Sequence, residues 1–247
     1  MTLSKKNIQR YSKQIILKKF GTVGQKRIMS SKVLIIGLGG LGCPLAIYLA
    51  NLGVGNIGIV DDDIIEMSNL NRQIIFDNSN IGKFKVDITY KSLKKINRSL
   101  KVNVYKTRVN KFNIRKIIQN FDIICDGTDN FETRLLINDS CLQQKKILIS
   151  AAASGFNGHL FKFNFRKKTP CFRCFMPETP DNEYNCETEG VTPPLTGMMG
   201  TIQANEVMNT ILNVKTELDE KILILDSFNM NVRKVKLSKN KSCVNKC

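Results

Sequence analysis

Three glycines, Gly37, Gly39 and Gly42, follow the apolar run VLII with the spacing G-x-G-x-x-G. In a strand-turn-helix unit the first glycine makes the tight turn, the second lets backbone amides approach a phosphate, and the third permits close packing of the helix. Phosphate then sits at the helix N-terminus, where unpaired N–H groups and the helix dipole favour negative charge. Asp61 ends the next predicted strand, about twenty residues on, where a carboxylate accepts hydrogen bonds from ribose hydroxyls. Taken alone, these residues fit an NAD-dependent oxidoreductase.

The stretch that follows separates the nucleotides. SNLNRQIIF at 68–76 and GKFKVD at 82–87 bring Arg72 and Lys85 shortly after the ribose carboxylate, and dinucleotide binding gives such cations no task. A triphosphate does, because guanidinium grips phosphate oxygens bidentately and ammonium neutralises charge that builds on a leaving pyrophosphate. CDGTDN at 125–130 then puts Asp126 and Asp129 at the carboxyl edge of another apolar strand, where ligands of open α/β sheets bind. A carboxylate there suits Mg2+, which takes one or two carboxylates together with substrate phosphates. The alternative for Asp129 is the N-cap of a helix over 130–144.

Soft ligands form a second group. Cys171 and Cys174 make C-F-R-C, and Cys243 and Cys247 make C-V-N-K-C. Close thiolate pairs far apart in sequence fit a tetrahedral structural Zn2+; a redox dithiol is the other reading of C-x-x-C. Cys43, Cys125 and Cys141 fall inside helix or strand patterns and read as small buried hydrophobes. His159, the only histidine, reads as a strand residue with a satisfied ring.

Positioning these groups takes alternating elements. The pattern predicts an amphipathic helix over 4–20 that stops at Gly21, then strand 32–37, helix 40–52, strand 57–61, helix 83–97, strand 101–107, helix 112–120, strand 121–126, helix 130–144 and strand 147–152. Strands alternating with helices mean βαβ units and a parallel sheet covered on both faces. After 152 the rhythm changes: FNGHLFKFNF at 156–165 alternates like an antiparallel strand, a loop rich in proline, cysteine and acidic residues runs from about 169 to 194, and a helix over 201–214 precedes short strands at the end. The fold class expected is α/β, a Rossmann-like mostly parallel sheet with helices on both faces, a C-terminal antiparallel extension and a crossover loop. Within a single domain of 247 residues, the nucleotide-binding core spans 31–152 and the C-terminal helix and strands span 200–247.

The formal charge is +17, from 38 basic and 21 acidic residues. Lysines are scattered over helix faces and loops without interleaved aromatics, so the charge reads as a solvated surface rather than a nucleic-acid platform. No segment has the length of a membrane span or a signal-peptide core, and a cytoplasmic protein with reduced thiols is expected.

GLGGLG, VDDD, SNLNRQ, GKFK, GTDN, CFRC and YNCETEGV, in this order over nearly the whole chain, resemble the ThiF/MoeB/HesA adenylyltransferases, relatives of ubiquitin-activating enzymes. The resemblance implies an ATP-dependent enzyme that adenylates the C-terminal glycine carboxylate of a small ubiquitin-like sulfur carrier ending in Gly-Gly, for thiamine or molybdopterin biosynthesis, with GFNGHL and VDDD leaning to the ThiF branch. It implies that Gly40 and its neighbouring amides lie under the phosphates, that Asp61 holds the ribose, that Asn69, Arg72 and Lys85 contact the phosphates, and that Asp129, followed by Asn130, holds Mg2+. Asp63 and Ser68 join the nucleotide-binding set through VDDD and SNLNRQ.

Members of the family are usually homodimers in which an arginine of the first helix reaches the partner's ATP. Here the matching residue is Lys13, with Arg10 about a turn away as a substitute. Cys186 matches a loop cysteine that can bond to the carrier's thiocarboxylate; Glu187 and Glu189 beside it would raise its pKa. Sulfur is expected from a separate donor protein. A nucleotide-binding interaction module without catalysis is the remaining alternative.

Overall fold

The computed structural model describes residues 3–177, 190–245 and 247. Alternation along β1 (Lys32–Ile36) builds its two apolar layers, with Val33 and Ile35 packing into one and Leu34 and Ile36 into the other. The same occurs in β4 (Ile123–Asp126), where Ile123 and Cys125 face the first layer and Ile124 the second. These strands, with β2 (Asn56–Val60), β3 (Lys101–Tyr105) and β5 (Ile147–Ser154), pair in parallel. Then β6 (Asn157–Asn164), β7 (Lys221–Asp226) and β8 (Asn231–Lys236) continue the sheet antiparallel.

The resulting eight-stranded sheet has the order β3-β2-β1-β4-β5-β6-β7-β8. Chain order reverses direction at β1, between β2 and β4, and the crevice at that reversal is where open α/β sheets bind ligands. The α/β class, parallel core and antiparallel extension are as expected from the sequence.

Helices α3 (Gly21–Ser30), α4 (Gly42–Leu52), α5 (Lys85–Ile96) and α9 (Pro193–Leu212) cover the first layer with Ile28, Leu45, Leu49, Leu93 and Val207. The second is covered by α6 (Ile114–Ile118), α7 (Phe131–Gln143) and α8 (Phe172–Phe175), through Ile117, Ile118, Ile137, Cys141 and Phe172.

Some elements differ from the sequence reading. The segment 4–20 forms α1 (Lys5–Arg10) and α2 (Ser12–Ile15) rather than one helix. Gly21 opens α3 instead of stopping a helix. Gly24 hides α3 from pattern reading, yet a β-carbon there would press on Leu212 at 2.8 Å, so the glycine is what lets α3 approach α9. Helix α9 starts at Pro193, eight residues before the expected 201; prolines are tolerated in a first turn because its N–H groups have no intrahelical partner. Among the described residues no helix is long and apolar enough to cross a membrane.

Candidate active site

Gly37 follows β1 with φ at +90°, and a β-carbon on Gly42 would collide with the Gly37 carbonyl. The turn is therefore closed as tightly as backbone allows, and α4 begins at its third glycine. The Leu38 amide donates to Asp61 Oδ2 at 2.7 Å and the Asp63 amide donates to Oδ1 at 2.9 Å, which ties the end of β2 to the turn. Burial pushes the Asp61 carboxyl above its ordinary value, against the pull of Lys85 and those amides.

A cleft of about 1090 Å³ opens over this turn. Of the residues singled out in the sequence, Gly37, Gly39, Gly40, Asp61, Asp63, Asn69, Arg72, Lys85, Asp129 and Asn130 line it. Gly42 sits beneath as packing. Ser68 is not among the lining residues, but its carbonyl accepts a hydrogen bond from Arg72 Nη1 at 2.9 Å, and Asn71 Oδ1 accepts another at 3.1 Å. These bonds hold the guanidinium to its own turn. Lys85 opens α5 and is only 6% exposed. Its Nζ lies 2.8 Å from Asp63 Oδ2.

The two aspartates of CDGTDN divide. Asp126 is fully buried and turned inward: Ser150 Oγ donates to its Oδ2 at 2.6 Å, Thr128 donates to Oδ1 through N–H and Oγ, and Arg134 Nη1 lies 3.2 Å from Oδ2. Arg134 also donates to the Thr128 carbonyl at 2.6 Å and the Ala151 carbonyl at 3.1 Å, so it pins the turn that carries Asp129. Asp129 is not the helix cap; Asn130 is, accepting the Thr133 amide at 2.9 Å. The Asp129 carboxylate is thereby left exposed in the cleft, as a hard oxygen donor for a divalent cation should be.

Thr196 of α9 roofs the turn, since a β-carbon on Gly40 would meet its side chain at 3.0 Å. Sequence reasoning missed Thr196, Arg134 and Gln73 as cleft residues; only Gln73 carried a signal, as the last residue of SNLNRQ. His159 also faces the cleft, and burial, then the charges of Arg134 and Arg233, hold its pKa below the ordinary value.

Lys13 lies on α2, exposed and outside the cleft lining. Gln14 anchors this helix by donating to the Leu52 carbonyl at 2.9 Å. Arg10 donates to the Ile96 carbonyl at 2.7 Å, which engages it within its own chain. Cys186, Glu187 and Glu189 lie outside the described residues.

The remaining cysteines behave as their contexts predict. Cys43, Cys125 and Cys141 are fully buried, and burial pushes the Cys43 thiol up to about 12. Cys171, Cys174, Cys243 and Cys247 converge, all four sulfurs lying within 4.8 Å of one another. Cys171 to Cys243 is 3.7 Å, Cys174 to Cys247 is 3.3 Å and Cys243 to Cys247 is 3.8 Å. A tetrahedral Zn–S₄ site with bonds near 2.3 Å has S–S edges of about 3.8 Å, so this donor set fits zinc. The added residue in C-V-N-K-C does no harm to the fit, because Asn245 turns inward and donates to Asp139 Oδ1 at 2.7 Å. Arg173 forks onto the same carboxylate at 2.8 to 3.0 Å, so both cysteine pairs are braced against α7.

Comparison with known proteins gives the family and the fold. The ThiF family profile matches residues 11–245. The adenylyltransferase and sulfurtransferase MOCS3 of Culex quinquefasciatus is 40% identical over 245 residues, covering 98% of this chain and 56% of the relative. A probable molybdopterin-synthase adenylyltransferase of Gracilaria tenuistipitata var. liui is 38% identical over 237 residues, covering 96% of this chain and 66% of the relative. The chain thus spans little more than half the length of the MOCS3 relative. A crystal structure of E. coli MccB superposes with a TM-score of 0.84 at 21% identity, covering 96% of this chain and 75% of that one, and shares the fold.

Proposed function

Given that the chain belongs to the ThiF family, we propose that it is an adenylyltransferase that uses ATP to activate the C-terminal glycine carboxylate of a ubiquitin-like sulfur carrier protein. The observation that carries this reading is the meeting of Asp61, Arg72, Lys85 and Asp129 in one cleft over the glycine turn. Hydride transfer to a nicotinamide would leave the last three without work. The name of the Gracilaria relative, a probable molybdopterin-synthase adenylyltransferase, favours molybdopterin over thiamine as the pathway.

The reaction needs no protein nucleophile. A carboxylate oxygen of the carrier attacks the α-phosphorus, the bond from that phosphorus to the bridging oxygen breaks, and pyrophosphate leaves with the electron pair, giving an acyl adenylate. Asp61 accepts hydrogen bonds from the ribose; the amides of the turn, with Asn69, sit under the phosphates. Arg72 and Lys85 stabilise the charge that grows on the leaving group, and their value is greatest in the transition state. Asp129, with Asn130 beside it, would hold Mg2+, which supplies neutralising charge on the phosphates when bound. The four cysteines would hold Zn2+ as a structural staple. In a homodimer Lys13 would reach the partner's nucleotide. A separate sulfur donor protein would act on the adenylate, with Cys186 available for bonding to the carrier, in the cytoplasm.

The deciding experiment is carrier-dependent exchange of labelled pyrophosphate into ATP. Wild type should exchange, and Arg72→Ala and Asp129→Ala should abolish it. Unchanged exchange in both variants would refute the assigned roles; nicotinamide binding in place of ATP would refute the reading.

A further inference from the structure

Gln73 is only 3% exposed, yet its Oε1 is buried with no hydrogen-bond partner among the described residues. An unsatisfied buried amide costs free energy that an apolar side chain at the same place would avoid. Packing alone therefore does not account for a glutamine here. Its backbone N–H donates to the Asn69 carbonyl at 2.9 Å, which puts it in the same turn as Arg72. The side chain borders the cleft, and Nε2 is 3.9 Å from the point that a β-carbon would occupy on Gly39. Gly39 is the second glycine of the turn, whose missing side chain leaves room for phosphate to approach the backbone.

Resting on the adenylation reading above, we propose that Gln73 contacts the polyphosphate of ATP, its amide nitrogen donating a hydrogen bond to a phosphate oxygen lying over Gly39. Only the nitrogen end of an amide can donate, so an anion over the turn selects Nε2 for the contact and leaves Oε1 inward. Arg72 and Lys85 attract the phosphates by charge. Gln73 is neutral and supplies direction, which fixes the chain of phosphates against the turn without adding to its salt-dependent attraction.

The test is calorimetric titration of the full chain with MgATP, and separately with adenosine, at two salt concentrations, using wild type and Gln73→Met. The variant should bind MgATP about ten- to a hundred-fold more weakly, the range for a hydrogen bond to a charged group. It should keep wild-type adenosine affinity, the wild-type salt dependence, and a thermal midpoint no lower than wild type. Gln73→Glu, which sets a carboxylate against the phosphates, should lose more. Equal MgATP affinity in wild type and Gln73→Met overturns the inference, as does an equal loss for adenosine. If wild type binds no MgATP, the adenylation reading falls as well; if wild type binds and exchanges while the variant matches it, only the Gln73 assignment falls.

Discussion

Lys85 Nζ rests 2.8 Å from Asp63 Oδ2, with the lysine side chain 7% exposed and the aspartate 65% exposed. The ammonium is nearly buried at the cleft floor, and its counter-ion is a solvent-facing carboxylate. Water weakens a pair of that kind, so a phosphate with more charge can take over the lysine without a large penalty. Lys85→Met, which keeps the buried stem and removes the charge, should lower pyrophosphate exchange by about 100-fold or more. Asp63→Asn should tighten MgATP binding by a few-fold, since the cation no longer has to leave an internal partner. Parallel measurement of exchange rate and ATP affinity checks both; a weaker-binding Asp63→Asn would mean that the carboxylate itself holds the ligand.

Acidity should act through Asp61. Burial raises its pKa in the folded chain, so the folded state keeps the proton at a pH where the unfolded chain has released it. Ionised Asp61 therefore subtracts stability above its folded pKa, and that penalty is relieved as pH falls from the folded value towards the ordinary one. Nucleotide affinity should run the opposite way, because a protonated carboxyl no longer accepts from both ribose hydroxyls. ATP affinity measured as pH falls from neutral towards the ordinary carboxylate range should drop on the acidic side, and a profile flat through that range would argue against a ribose contact.

Arg134 and Asp126 form a buried ion pair 3.2 Å apart. Removing the cation alone leaves a carboxylate with no counter-charge, so Arg134→Met should cost about 3–5 kcal/mol in urea unfolding. Combining it with Asp126→Asn should recover part of the loss. If the double variant is as unstable as the single one, the cost lies in the other hydrogen bonds of Arg134, to Ser150, Thr128 and Ala151.

The cysteine cluster predicts one zinc per chain by elemental analysis. Cys171→Ser should abolish binding, and Cys247→Ser should weaken it despite the longer spacing of the second pair. Chelation should lower the thermal midpoint of the wild type and leave that of Cys171→Ser unchanged. Equal zinc content in wild type and Cys247→Ser would remove the last cysteine from the set.

Much of this was legible in the chain because local rules and global fold agree. The run VLII before Gly37 forms β1 with a glycine turn after it, as its pattern predicts, and the alternation of FNGHLFKFNF gave β6 its antiparallel place. What stayed hidden depends on contacts distant in sequence. Gly24 looks like a helix breaker until Leu212 is packed beside it. Prolines and Gly197 and Gly200 mask the first turns of α9, whose stability comes from lying on α4 and β5 rather than from propensity. In CDGTDN nothing in the sequence says which aspartate turns inward; Ser150 and Arg134 decide that, from the neighbouring strand and the following helix.

Thr196 closes over Gly40 from a helix that begins some forty residues after the last parallel strand. The amino-terminal βαβ segment on its own would therefore present an open, unroofed phosphate turn, with one apolar layer stripped of its α9 cover. A protein cut between these halves should recover nucleotide binding only when both fragments are supplied together, which makes the trailing half an integral wall of the cleft rather than an appendage to it.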